Sequence, residues 1–238
     1  SAGSLARTLG IRIKIMRTLR HLELYLDGTY PNAERKWFLK ASRSACNFLE
    51  RHLQPLQFTC PYSRVNIFCS PNATEGRVLA YMHEPYLEVH IPFHAKPAAQ
   101  MSEIESQQQF LNVVATGLDT ASRFTPMPLE AVSKAMSQFA DAGYVNQWQH
   151  IDKLWTRKKC RCVVSMELTM ESFSANQQIY VEDELVGQRE IARTSPREGL
   201  WAHYLGKLTL SAKGILEYKY ASTVISAFDI ERRDFVHL

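Results

Sequence analysis

The stretch Cys160-Arg-Cys-Val-Val-Ser-Met-Glu-Leu-Thr-Met-Glu171 decides how the chain reads. Its even positions, Cys160, Cys162, Val164, Met166, Leu168 and Met170, are apolar or thiol. Its odd positions, Val163 apart, are polar: Arg161, Ser165, Glu167, Thr169 and Glu171. Side chains alternate faces along a strand, so the pattern predicts a long strand with one dry face and one wet face. A helix would spread the same residues around its circumference. One strand cannot hide its dry face alone, so helices or a second sheet must cover it.

Downstream the pattern stays extended. Strands are expected at residues 177–181 and 185–191 around the polar turn Glu182-Asp183-Glu184, and at 205–210 and 215–220 around a turn ending at Gly214. A last strand at 224–230 puts Val224, Ser226, Phe228 and Ile230 on one side. The connections are too short for parallel crossovers, which predicts a sequential antiparallel meander of five or six strands.

Upstream the chain mixes helices with a few strands. Leu5, Leu9, Ile15, Leu19, Leu22 and Leu26 are spaced for a helix over 5–26, made basic by Arg7, Arg12, Lys14, Arg17 and Arg20, although 11–15 alternates like a strand. A second helix starts at Pro31-Asn32 and runs to about His52, with Trp37, Ala41, Ala45, Phe48 and Leu49 inside. Residues 64–69 read as a strand with Val65, Ile67 and Cys69 on one face. Residues 77–83 and 86–93 read as a hairpin turning at Glu84-Pro85. Setting His83 opposite Tyr86 puts Val78, Ala80 and Met82 on the face of Leu87, Val89 and Ile91. Ser102-Glu103-Ile104-Glu105 is a capping box opening a helix that buries Ile104, Leu111, Val114, Leu118 and Ala121. Pro128 opens another, with Leu129, Val132, Met136 and Phe139 inside and Gly143 at its end. Val145, Trp148, Ile151 and Trp155 fit a third helical piece.

The expected fold is therefore α+β, with N-terminal and central helices packed on antiparallel sheet and a C-terminal antiparallel meander. A single domain over 1–238 is expected, the alternative being two subdomains, a helix-rich 1–156 with a hairpin and a meander over 157–238.

The chain has 238 residues, 45% apolar and 22% charged, with a net charge of +4, the balance of an ordinary globular protein. So mild a charge does not mark a nucleic-acid binder. No apolar run approaches bilayer length. Five cysteines, an odd number in a chain too large to need staples, suit free thiols in a reducing cytoplasm. Asn72-Ala73-Thr74 is a formal glycosylation sequon of a kind that arises by chance.

Four constellations offer chemistry. Glu88, His90 and His94 can share the polar face of the hairpin, with His83 near its turn. Imidazole beside carboxylate suits metal binding or acid–base work. Leu79, Tyr81 and Tyr86 fall on that face too, so a solvated sheet face is the ordinary reading. Cys160 and Cys162 can offer two thiolates to a soft metal, but they sit on the apolar side of the organising strand as core thiols would. Lys153, Arg157, Lys158, Lys159 and Arg161 lie beside Trp148 and Trp155, a mixture that can grip single-stranded nucleic acid or simply mark a helix end. Glu182, Asp183 and Glu184 gather three carboxylates at a hairpin tip, where a solvated turn is the default.

There is no phosphate-binding glycine loop, no Gly-x-Ser-x-Gly elbow, no His-Glu-x-x-His and no EF-hand loop. These observations suit a non-enzymatic, intracellular protein-binding module with one protein partner and no cofactor. An inhibitor or immunity-type protein that neutralises a toxin or enzyme by covering it fits that profile, with Tyr81, Tyr86 and the 182–184 turn as contact candidates. The alternatives are an enzyme built on Glu88, His90 and His94, and a nucleic-acid binder using the cluster from Lys153 to Arg161. The binding reading predicts a patch of mixed charge and aromatics on one sheet face or one group of loops.

Overall fold

The computed structural model describes residues 16–81, 84–97 and 100–237. The fold is α+β. Its first sheet has strand order β2-β4-β6-β5, formed by β2 (His21–Leu26), β4 (Arg64–Ser70), β5 (Arg77–Ala80) and β6 (Tyr86–Pro92). A two-residue ribbon pairs β1 (Arg17–Thr18) with β3 (Thr59–Cys60).

Within the described part of 5–26, the expected helix is instead strand. Leu19, Leu22 and Leu26 fit a helical period, but Leu22, Leu24 and Leu26 fit a period of two. Burial follows the second pattern, with these three inside and His21, Glu23 and Tyr25 half-buried outside. Leu24 is the residue that decides, because a helix would leave it on the wet side. The expectations for 5–15, Met82 and His83 lie outside the described residues.

The first sheet is also mixed. β2 pairs parallel with β4, and β4 pairs parallel with β6. The link from β2 to β4 carries two helices, α1 (Asn32–Ala41) and α2 (Arg43–Leu53), and is long enough to cross over. They replace the single helix expected over 31–52. The break falls at Ser42, whose hydroxyl donates to the Leu39 carbonyl (3.3 Å). β5 is antiparallel to β6, with Val78 opposite Val89 and Ala80 opposite Leu87. That register is two residues from the expected one, so each side chain keeps its face.

Helices α3 (Glu103–Ser122) and α4 (Leu129–Asp141) complete the first layer. The capping box forms as expected, with the Ser102 amide donating to Glu105 (2.8 Å) and the Glu105 amide to Ser102 (3.3 Å). Ile104 is 55% exposed and Leu129 38%, correcting their assignment to the interior; Phe110 is buried in α3 instead. Gly117 lets α3 lie close on the sheet, since a Cβ there would sit 2.5 Å from Ile67 Cδ1.

The third helical piece is a strand, β7 (Gln147–Trp155). Its ladder to β8 (Cys160–Leu168) slips between Gln149 and Ile151, leaving His150 as an extra residue. The bulge lets Trp148 and Ile151 both pack inward although they are three apart, which imitates a helical period. β8 shows the predicted alternation, with Cys160, Cys162, Val164, Met166 and Leu168 fully buried. It ends at Leu168, and the hydroxyl of Thr169 caps the next turn by accepting the Glu171 and Ser172 amides (3.2 and 3.0 Å).

β9 (Phe173–Val181) and β10 (Glu184–Thr194) complete an antiparallel sheet ordered β10-β9-β8-β7. After the short helical turn α5 (Glu198–Trp201) comes a second antiparallel sheet, β11 (Lys207–Leu210), β12 (Ile215–Tyr220), β13 (Thr223–Asp229) and β14 (Asp234–Phe235), in sequence order. The expected meander is thus two sheets sharing one core, which includes Cys162, Phe173, Leu216, Tyr218 and Phe228. Residues 156–159, where the sequence changes character, form the turn of the β7–β8 hairpin. The other core lies between the first sheet and its helices, and includes Leu24, Phe38, Ile67, Val89 and Phe110. No described helix is long and apolar enough to cross a membrane.

Candidate functional site: a stacked sheet face and a cleft beside it

The inner face of the first sheet is covered by helices, and its outer face carries the polar candidates. Parallel strands in register place equal positions side by side. Tyr25 lies beside Phe68, and Phe68 beside His90. Neighbouring strands are about 4.8 Å apart, which is also a stacking distance. The rings accordingly stack nearly parallel, Tyr25 on Phe68 at 4.8 Å and Phe68 on His90 at 5.0 Å. Neither Tyr25 nor Phe68 belongs to a hydrophobic core among the described residues.

The next rung is Glu23, Asn66 and Glu88. Glu23 accepts from the Tyr25 hydroxyl and pairs with Arg64 at 3.4 Å. Glu88 accepts from the Tyr81 hydroxyl at 3.1 Å and lies 3.6 Å from His90 Nε2. Burial and the Glu23 bond push the Tyr25 hydroxyl well above the usual tyrosine range, so it stays a donor at neutral pH. Two polar atoms on this face, Asn66 Oδ1 and His90 Nε2, are buried without a hydrogen-bond partner. Tyr81 and Tyr86 stand at its rim, 6.0 Å apart. The structure therefore brings Glu88 and His90 together, as the strand spacing predicts. His94 follows the strand end and is exposed.

A second feature was not visible in the sequence. α2 is buried around most of its circumference, including its charged residues Arg43 and Glu50. Their partners explain why. β2 is an edge strand among the described residues, so the Leu22 N–H and C=O point away from β4 with no described strand to take them. Glu50 Oε1 accepts the Leu22 N–H at 2.8 Å, and Arg43 donates to the Leu22 carbonyl at 2.8 Å. Arg43 and Glu50 then bind each other at 2.9 Å. The ion pair stands in for an absent strand and closes the edge.

Arg43 also reaches Glu198 at 3.4 Å, linking the helices to the segment before β11. With His21, the two carboxylates form a group whose ligand atoms lie within 4.8 Å of one another. They line a cleft of about 590 Å³ together with Arg51, Trp148, His150 and Trp201. Arg51 has its guanidinium over the Trp148 ring at 4.5 Å, and donates to Asn47 (3.3 Å) and Asn146 (2.5 Å). Asn146 in turn donates to the Ser44 carbonyl at 2.8 Å. Desolvation pulls Arg51 down to about 10. The sequence signal for this cleft is thin: Arg43, Asn47, Glu50 and Arg51 read as the wet side of an amphipathic helix.

The remaining candidates are largely committed to local pairs. Arg161 grips Asp152 with two bonds of 2.7 and 2.5 Å, Lys159 pairs with Glu182 at 2.9 Å, and Lys153 lies 4.9 Å over Trp155. Arg157 and Lys158 are exposed, with no carboxylate at ion-pair distance among the described residues. The cluster belongs to a hairpin turn and not to a helix end. Glu182 and Asp183 form the β9–β10 turn at positive φ (53° and 68°), and Arg233 pairs with Glu184 at 3.2 Å. The cysteines are all buried, and burial pushes the Cys46 and Cys162 thiols up to about 12.

Fold and site together define an α+β protein with a stacked aromatic sheet face and a charged cleft. Comparison with known proteins adds nothing to that description: no family model, no curated protein and no solved structure matches the chain.

Proposed function

We propose that this chain is a non-enzymatic protein-binding module, an inhibitor or immunity-type protein that neutralises a toxin or enzyme by covering it. The observation that carries this reading is the outer face of the first sheet. It presents the stacked Tyr25, Phe68 and His90 beside a rung of Glu23, Asn66 and Glu88, with Arg64 paired to Glu23 and with Tyr81 and Tyr86 at its rim. Tyrosine and arginine anchors on a rigid platform are the residues that dominate protein interfaces. The platform is stiff because each ring is fixed by the register of the strand beneath it. Buried thiols such as Cys46, Cys69, Cys160 and Cys162 fit a reducing, cytoplasmic setting.

Acid–base or metal chemistry at Glu88 and His90 has less behind it. Glu88 is already shared with Tyr81, and the imidazole is held flat on Phe68. Nucleic-acid binding has less still, with three of the five basic residues engaged locally.

The test is affinity capture by the full chain from its native host, with Phe68→Glu as the paired bait. The expected result is one stoichiometric protein retained by the native chain and lost with Phe68→Glu, while circular dichroism shows the fold intact. Equal retention by both baits, or no stoichiometric partner, would overturn the reading.

A further inference from the structure

The cleft beside α2 has a charge arrangement that selects its ligand class. On one side, Glu50 and Glu198 share a single countercharge, Arg43. Glu50 spends its oxygens on Arg43 and the Leu22 amide, whereas Glu198 is 39% exposed and uses one oxygen on Arg43. On the other side, Arg51 has no carboxylate at ion-pair distance among the described residues. Among the described residues its acceptors are two amide oxygens, so three of its five N–H groups lack a described protein acceptor. A desolvated guanidinium without a countercharge is costly, and its lowered pKa reflects that cost. The arrangement suits an incoming carboxylate, which a guanidinium fork takes up in bidentate fashion.

Neither a simple anion nor a bare cation matches the whole lining. An anion would face Glu50 and Glu198. A divalent cation at His21, Glu50 and Glu198 would enter against Arg43, which already occupies both carboxylates. A ligand carrying both charges meets both walls. The volume, about 590 Å³, lies within the ordinary range for small-molecule sites, and Trp148, Trp201 and Leu205 supply apolar lining.

We propose that this cleft binds a small zwitterion, an amino acid or short peptide, whose carboxylate is taken by the free N–H groups of Arg51 and whose ammonium is taken by Glu198. The site does not depend on the outer sheet face or on any protein partner.

Calorimetric titration of the full chain tests it, with L-leucine, L-phenylalanine and leucyl-phenylalanine as probes. Each probe is compared with its N-acetylated and C-amidated forms. At least one zwitterion is expected to bind with a Kd below about 1 mM, and both blocked forms to bind at least about tenfold more weakly. Arg51→Lys keeps the charge but loses the fork, so it should weaken the zwitterion and leave the amidated form unchanged. Glu198→Gln should do the converse with the N-acetylated form. Phe68→Glu should leave all of these affinities alone, which separates this site from the sheet face. No binding by any probe at ~10 mM would overturn the proposal. So would a blocked form that binds as tightly as its parent, or stoichiometric zinc binding that His21→Ala abolishes.

Discussion

The core built on β2, β4 and β6 and the core between the two C-terminal sheets place their polar groups differently. Around the first, a guanidinium and a carboxylate are buried at Arg43 and Glu50, while Tyr25 and Phe68 stack outside the core. In the second, burial alternates strictly along β8, thiols and aliphatics inward, with Val163 the one apolar residue on the outward face. The second region is closed by pairing one sheet with another, and its two edges are tied by His150 to the Gly206 carbonyl (3.2 Å) and by Arg233 to Glu184 (3.2 Å). The first has an edge strand, β2, that ends against side chains instead of another strand. Charge enters that core because an edge must be satisfied. Tyr25 and Phe68 sit outside it, where parallel register offers them one another as partners.

Glu50→Ala is the substitution that should break this contrast most severely. It leaves Arg43 buried without its closest countercharge and the Leu22 N–H without an acceptor. Breaking one side of a buried pair costs about 3–5 kcal/mol. Urea unfolding should show a loss of that size. Replacing both partners by apolar residues, Arg43→Met with Glu50→Leu, should recover only the part due to the lone charge, because the Leu22 N–H and C=O stay unpaired. A Glu50→Ala loss below about 1 kcal/mol would mean that the pair is solvated and that β2 is closed in some other way.

Gly117→Ala probes the helix side of the first core. The added methyl would meet Ile67, a fully buried branched residue, at 2.5–2.8 Å. Overpacking of this kind costs about 1–3 kcal/mol. Gly28→Ala is the matching control, with nothing within 4 Å of the added atom, and should stay within about 0.5 kcal/mol. Thermal melts of the two variants, read together, separate close packing from any general effect of replacing glycine.

The difference between the regions also governs what the sequence discloses. β8 is legible because its period of two is unbroken and both its neighbours are strands. β2 is not, because Leu19, Leu22 and Leu26 satisfy two periods and only Leu24 distinguishes them. β7 is hidden by its bulge, which restores inward packing at a spacing of three. On the outer face, Glu88 and His90 are legible as neighbours from one strand alone. Their stacking with Tyr25 and Phe68 is not, since it depends on parallel register between distant segments. The cleft is the least legible feature of all. Arg43, Glu50 and Arg51 look like an exposed helix flank until a second layer covers it.

The finest test of the comparison applies one substitution in both regions. Ser44 lies in α2 and donates to the Leu168 carbonyl at 2.7 Å, a buried bond between the helix layer and the end of β8. Ser44→Ala leaves that carbonyl unpaired and should cost about 1–2 kcal/mol. Ser226 lies in β13, fully buried, and its hydroxyl has no protein partner. Removing a buried hydroxyl that bonds to nothing abolishes a desolvation cost and no bond, so Ser226→Ala should be neutral or stabilising by up to about 1 kcal/mol. Opposite signs in denaturant melts would show that Ser44 is spent on joining layers, while Ser226 is merely tolerated in the second core. A loss at Ser226 equal to that at Ser44 would mean that a bound water completes the second core, and that the polar economy of the two regions is alike.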